Sequence, residues 1–208
     1  LLRECTNLCT SNIITGQNEV PLLFCIFSAT NNLRLLKLII DIYNTSTMRV
    51  SNNNNILQEL RTSDYHFTIL DYMLIKKRIR KSSSFEKISW LVTMMTPTQI
   101  SFQTVFLYLK YMRNIYRLKI FELEEKDSNL NNDINVDRNN QLLKYFRETL
   151  NYYFNILLKK YSVGLSHPDN NPLSLYVNII TNEKNLIPLD ILVIETFIKN
   201  DFNLKIDT

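Results

Sequence analysis

Only two glycines, Gly16 and Gly164, stand in the 208 residues of the chain. Glycine-rich phosphate loops and dinucleotide-binding turns need several each, because the backbone must come close to its ligand. Nucleotide enzymes therefore lose most of their ground. The three cysteines, Cys5, Cys9 and Cys25, are too few and too clustered for a disulfide framework, and their odd number favours reduced thiols and a cytoplasmic or nuclear location. No segment reaches the roughly 18 consecutive apolar residues of a membrane span, and residues 1–10 lack the basic start, apolar centre and cleavage site of a secretion signal. Neither membrane insertion nor secretion is expected. The chain opens at Leu1 without an initiator Met and LLREC reads as the last turns of a helix, so a fragment is expected.

What is present resembles an ordinary folded protein, with 45% hydrophobic and 21% charged residues. A chain of this length can bury a core without metal or disulfide, and one domain over 1–208 is the default. A net charge of +4 is small for a dedicated nucleic-acid binder.

Apolar residues recur mostly with helical spacing, so the predicted fold class is all-α. Helices are expected from Pro21 to Asn31 and from Leu33 to Tyr43, the second with Leu35, Leu36, Ile39 and Ile40 as its stripe. One or two helical turns are expected at Ile56 to Leu60. Thr68 to Lys81 and Ser84 to Met95 make a second pair, with Ser84 capping the Phe85, Ile88, Leu91, Val92 face. A longer helix runs from Phe102 to Glu125 behind a Ser101 cap. Lys126 to Asn140 is rich in Asn and Asp and reads as a mobile polar insertion. A helix resumes at Gln141 to Tyr161, another short helix lies within His167 to Ile180, and a last one follows from Leu189. In that last helix Ile194, Phe197 and Ile198 fall on one face, after which the period switches to alternation at Phe202, Leu204 and Ile206.

This layout of turn, short helix, second helix and extended tail resembles the ankyrin repeat. NPLSLYV (Asn171 to Val177) stands where that family has its Thr-Pro-Leu-His helix start. Val193, Ile194, Phe197 and Ile198 match the paired aliphatics of its second helix, and NDFNLKID (Asn200 to Asp207) resembles its Gly-Ala-Asp-Val-Asn tail. Asp201 takes the glycine position, where a left-handed residue must end the helix. Further copies begin at Val20, Thr68 and Thr104, with Leu23, Asp71, Leu107 and Ser174 at the family's His position. Four repeats and a partial one are expected, at spacings beyond the usual 33 or so. Composition and insertions are similar to those of the divergent ankyrin proteins of poxviruses. The resemblance implies a helical solenoid with long insertions that binds a partner protein, a host factor if the source is viral, on its concave and finger face, without catalysis or cofactor. The implied finger tips are Gln17, Asn18 and Glu19; Tyr65, His66 and Phe67; Gln103; Asp169 and Asn170. Tyr65 and Phe67 are the aromatic anchors.

Other constellations are weaker. Cys5, Cys9, Cys25 and His66 lack the tight paired spacing of structural zinc, and His167 with Cys25 lacks the context of a nucleophile and base. No catalytic residue and no metal is assigned. The segment KKRIRK (Lys76, Lys77, Arg78, Arg80 and Lys81 around Ile79) is the densest charge cluster. It is open to reading as a solvated helix end, a nuclear-import signal or a phosphate patch. With Arg113, Arg117 and Lys119 it forms the basis of the rival function, nucleic-acid binding by a helical protein. Glu122, Glu124 and Glu125 read as a solvated run.

Overall fold

The computed structural model describes residues 12–15, 18–30, 32–47, 57, 60–62, 66–75, 82–126, 132–164, 171–183 and 185–202. The chain is mostly helical, in agreement with the all-α expectation. It divides into two compact units, Leu1–Gln99 and Ile100–Thr208, where a single domain is expected from length alone. Among the described residues no helix is long and apolar enough to cross a membrane.

Among its described residues the first unit starts with a hairpin that the apolar periodicity does not signal. Strand β1 (Asn12–Thr15) pairs antiparallel with β2 (Asn18–Pro21), Ile13 opposite Val20 and Thr15 opposite Asn18. Pro21 then caps α1 (Leu22–Ala29) from just outside the helix, one position earlier than the first-turn proline expected. Helix α2 (Leu33–Thr47) follows, its start held by the Asn32 side chain, which accepts the Leu35 N–H at 3.0 Å. Of the expected α2 stripe, Leu36 and Ile40 are buried, whereas Leu35 faces solvent.

Helix α3 (Ile69–Ile75) opens on a reciprocal cap. Thr68 Oγ1 accepts the Asp71 N–H at 3.1 Å, and Asp71 Oδ2 accepts both the backbone N–H and the hydroxyl of Thr68, at 3.0 and 2.9 Å. Helix α4 (Ser82–Met94) starts two residues before the expected Ser84 cap, and of its expected face Ile88, Leu91 and Val92 are buried and Phe85 is half-buried. It also buries Lys87, whose ammonium donates to the carbonyls of Phe27 and Thr30 at 2.8 and 2.7 Å. A cation placed on the last carbonyls of α1 satisfies acceptors that the helix itself leaves open. Burial lowers the Lys87 pKa, and the two carbonyls replace part of the lost hydration. Beside it Trp90 stacks on Phe27, with the Lys37 ammonium 5.8 Å from the indole centre.

The second unit is built on α5 (Phe102–Lys126), with Ser101 and Thr104 exchanging side-chain and backbone hydrogen bonds at its start. That cap places the helix start at Ser101, three residues before the Thr104 at which a repeat copy is expected. Helix α6 (Asn132–Thr149), a π turn (Leu150–Phe154) and α7 (Asn155–Gly164) run on without a break. Residues 132–140 are therefore helical, which corrects the expected loop. Asn and Asp each cost only about 0.5 kcal/mol against Ala in a helix interior, and no Gly or Pro interrupts the run. The packed face that follows, with Phe146, Leu150 and Phe154 buried, carries the helix. The π turn adds one residue to the winding, and Phe154 then stacks on Tyr108 at 6.0 Å and meets Phe197 edge-on at 5.2 Å.

Helices α8 (Pro172–Glu183) and α9 (Pro188–Lys199) form a contacting pair, and both pack on α5. Helix α9 ends in a Schellman motif: Phe202 N–H donates to Phe197 O and Asp201 N–H to Ile198 O, both at 3.1 Å. Asp201 is left-handed, with φ 62°, as its place in the sequence predicts. The Phe202 ring meets Phe197 at 5.7 Å, the apolar contact that accompanies this motif. The alternation after Phe202 lies outside the described residues.

Glycine adopts this conformation without the crowding of a Cβ. Asp201→Gly should therefore raise the midpoint of thermal unfolding by a few degrees, corresponding to roughly 0.5–1 kcal/mol. Asp201→Val should lower it by more, because a β-branched residue is least tolerated at positive φ. Equal midpoints for the three proteins would show that the left-handed position carries no strain.

Candidate protein-interaction site

Arg113 sits in the apolar middle of α5 with 3% of its surface exposed. Its Nε donates to Asp190 Oδ1 at 3.0 Å and its Nη2 to Asp190 Oδ2 at 3.2 Å, a two-pronged pair. Nη2 also donates to the carbonyl of Asn185 at 2.5 Å, and Nη1 pairs with Glu183. Asp190 is fully buried and also accepts the Tyr176 hydroxyl at 2.6 Å and the backbone N–H of Ile187 at 2.9 Å. One carboxylate thus caps α9, anchors α8 and neutralises α5. Burial alone would lower the Arg113 pKa, but the hydrogen bonds and charge of Asp190 outweigh it and raise the value. Burial, aided by its bond to Asp190, pushes the Tyr176 hydroxyl well above its ordinary pKa.

This network pins the stretch between α8 and α9 against α5, and that stretch forms one wall of a groove. Tyr116, Arg117, Ile120 and Phe121 of α5 line it, opposite Asn139 and Leu143 of α6, with Ile187 and Pro188 closing the end. Its volume is about 390 Å³, within the range of ligand-sized concavities. Phe121 is 61% exposed at the rim. Tyr116 forms the floor, its ring edge-on to Phe146 at 5.2 Å. The Arg117 guanidinium donates to Glu183 at 2.7 Å, so the lining offers mainly apolar surface and its suited occupants are apolar groups.

Of the predicted partner-binding residues that the structure describes, none lines this groove. Asn18 and Glu19 lie on β2, Glu19 exposed. His66 is exposed and left-handed, with φ 51°. Phe67 is half-buried; its N–H donates to Thr62 Oγ1 at 3.1 Å and its carbonyl accepts the Thr62 N–H at 3.2 Å. Gln103 is exposed in the first turn of α5. Gln17, Tyr65, Asp169, Asn170 and the basic residues Lys76, Lys77, Arg78, Arg80 and Lys81 lie outside the described residues, as do Cys5, Cys9 and His167. Cys25 is half-buried with its sulfur 3.8 Å from the Tyr72 hydroxyl. Among the described residues no group of His, Cys, Asp and Glu has the form of a metal site.

Arg113 and Arg117, which the rival reading places on a basic face, are committed to carboxylates of α8 and α9, and Lys119 pairs with Glu122 at 2.7 Å. A charged residue set in an apolar stripe requires a buried counter-charge, and Arg113 between Met112 and Ile115 is the one sequence signal of this network.

Removing the carboxylate leaves a buried cation unpaired. Asp190→Asn should destabilise the protein by about 3–5 kcal/mol in chemical denaturation, whereas Arg113→Met with Asp190→Leu should cost less than the sum of the single changes. Additive losses would mean that the pair is not coupled. The hydrogen bond from Arg117 holds the Glu183 pKa below its ordinary 4.5, helped by the Arg113 charge. Its stabilising share is full above that ordinary value and is lost as pH falls through the lowered one. Stability of Glu183→Gln should accordingly fall less steeply with pH below about 4.5. Comparison of the chain with family models, with curated proteins and with solved structures finds no match.

Proposed function

We propose that the chain is a non-catalytic protein-interaction module, and that its second unit docks an apolar segment of a partner protein in the groove beside Phe121. The observation that carries this reading is the groove itself: an apolar concavity of about 390 Å³ with a large aromatic side chain exposed at its edge. Exposed apolar concavities on otherwise polar surfaces serve as docking sites, and a buried aromatic anchor supplies much of the affinity. A wall held by a buried ion pair also costs little to organise on binding, which favours affinity.

An ankyrin-type arrangement of helix pairs is part of the proposal. Its supports are local: the reciprocal cap of Thr68 with Asp71 at a repeat start, the contacting pair α8 and α9, and the left-handed Asp201 at a repeat end. In that arrangement the hairpin β1–β2 and the segment at His66 and Phe67 are fingers of the first unit. A viral source would make the partner a host factor. The rival, nucleic-acid binding, loses the Arg113 and Arg117 cations to internal carboxylates.

Selection of a displayed peptide library on the purified chain tests the reading. Recovered peptides should carry bulky apolar residues, and their affinity should fall at least about ten-fold with Phe121→Ser, a change at an exposed position that leaves the melting temperature unaltered. Failure to enrich peptides, or affinities indifferent to Phe121→Ser, would sink the groove as the docking site. Tight binding of single-stranded nucleic acid, with affinity falling by several powers of the salt concentration, would favour the rival.

A further inference from the structure

A second concavity of the same unit, of about 300 Å³, is polar. Arg147 of α6, Asn151 of the π turn, and Glu195, Thr196 and Lys199 of α9 line it, over a floor that includes the buried Leu150 and Leu192. The three charged side chains are exposed, and none of them has an ion-pair or hydrogen-bond partner among the described residues. That is unexpected for Glu195 and Lys199, which stand four apart on one helix in the order that favours pairing. Two cations and one carboxylate therefore face a single cleft uncompensated. Their flanks are apolar: Ile191 and Ile198 lie four before and three after Glu195, on the same face of α9, and both are half exposed. The π turn enters as a separate observation. Such turns are rare and concentrate at functional sites, and this one puts Asn151 on the cleft wall while keeping Leu150 and Phe154 in the core.

We infer that this cleft is the specificity site of the interaction module, taking an acidic side chain of a partner peptide between Arg147 and Lys199. A basic residue next to that acid in the partner faces Glu195, and apolar residues on either side rest on Ile191 and Ile198. The carboxylate at Glu195 sets the ligand class. It repels a phosphate dianion more strongly than a monoanionic carboxylate, and it selects mixed-charge segments over purely acidic ones. The inference rests on the reading of the chain as a protein-interaction module. The groove beside Phe121 supplies apolar affinity, and the polar cleft decides which sequence is accepted.

The test uses the isotope-labelled chain titrated with short synthetic peptides and followed by nuclear magnetic resonance. One peptide carries Leu, Glu and Lys with acid and base adjacent; a second has Gln for Glu; a third has phosphoserine for Glu. The first should shift the signals of Arg147, Asn151 and Lys199, and the Gln peptide should not. Arg147→Met and Lys199→Met, both exposed and so without cost to the fold, should each weaken the first peptide about three- to five-fold, and together about ten-fold or more. Glu195→Gln should abolish the preference for an adjacent Lys and bring the phosphoserine peptide level with the Glu peptide. The inference is overturned by absence of binding, by equal binding of the Gln peptide, by unchanged affinity in the double variant, or by a Lys144→Met control that weakens binding as much as Arg147→Met. Phe121→Ser in the same titration separates the two readings. Loss of Phe121-dependent docking with the cleft still selective refutes only the groove, whereas an indifferent cleft with Phe121-dependent docking intact refutes only this inference.

Discussion

A guanidinium enclosed by apolar side chains has no water to turn to, and each of its N–H groups must find an acceptor in the protein. At Arg113 the acceptors are drawn from Glu183, Asn185 and Asp190, so one side chain of α5 is tied to the end of α8, the connecting stretch and the first turn of α9. Asp190 in turn serves the Ile187 N–H and the Tyr176 hydroxyl. The apolar core would tolerate many sliding arrangements of three helices, because hydrophobic burial is non-directional. The ion pair admits one, since its hydrogen bonds demand a specific separation and angle. The groove beside Phe121 inherits its wall from that restriction.

The helix ends repeat a single device with changing residues. Thr68 with Asp71, Ser101 with Thr104, and Ile187 with Asp190 each satisfy open N–H groups at a helix start through a side chain three residues on. At the far end of α9 an aspartate occupies the left-handed position that glycine fills most cheaply, and Phe202 folds back on Phe197. His66, which stands just before the Thr68 cap of α3, is a second residue other than glycine at positive φ. The fold is thereby kept by side-chain hydrogen bonds where flexible backbone would otherwise serve.

Most helices were legible as period, and several ends were legible as chemistry: the Ser101 cap and the left-handed Asp201 follow from residue type and position. Residues 132–140 read as a loop and are helical for a physical reason. Asn and Asp weaken a helix locally, yet the tertiary contacts of Phe146, Leu150 and Phe154 outweigh a local cost of tenths of a kcal/mol per residue. The candidate sites were scarcely legible. Ile120, Leu143 and Pro188 bear no chemical mark that distinguishes them from core residues, and their common groove exists only because α5, α6 and the stretch before α9 converge. Arg147 and Lys199 look like solvated charges until the π turn and α9 bring them to one cleft.

The sequence by itself determined the helical class, the scarcity of glycine-made turns and some helix ends, the Ser101 cap and the left-handed Asp201 among them, because backbone hydrogen bonding, side-chain period and capping act over three or four residues and leave their pattern in the chain. The division into two units, the pairing of Arg113 with Asp190 across 77 positions and the meeting of Arg147 with Lys199 were decided by tertiary structure alone. Charge compensation and groove formation depend on distance in space, and nothing in the local pattern of a chain encodes which distant residue will arrive there.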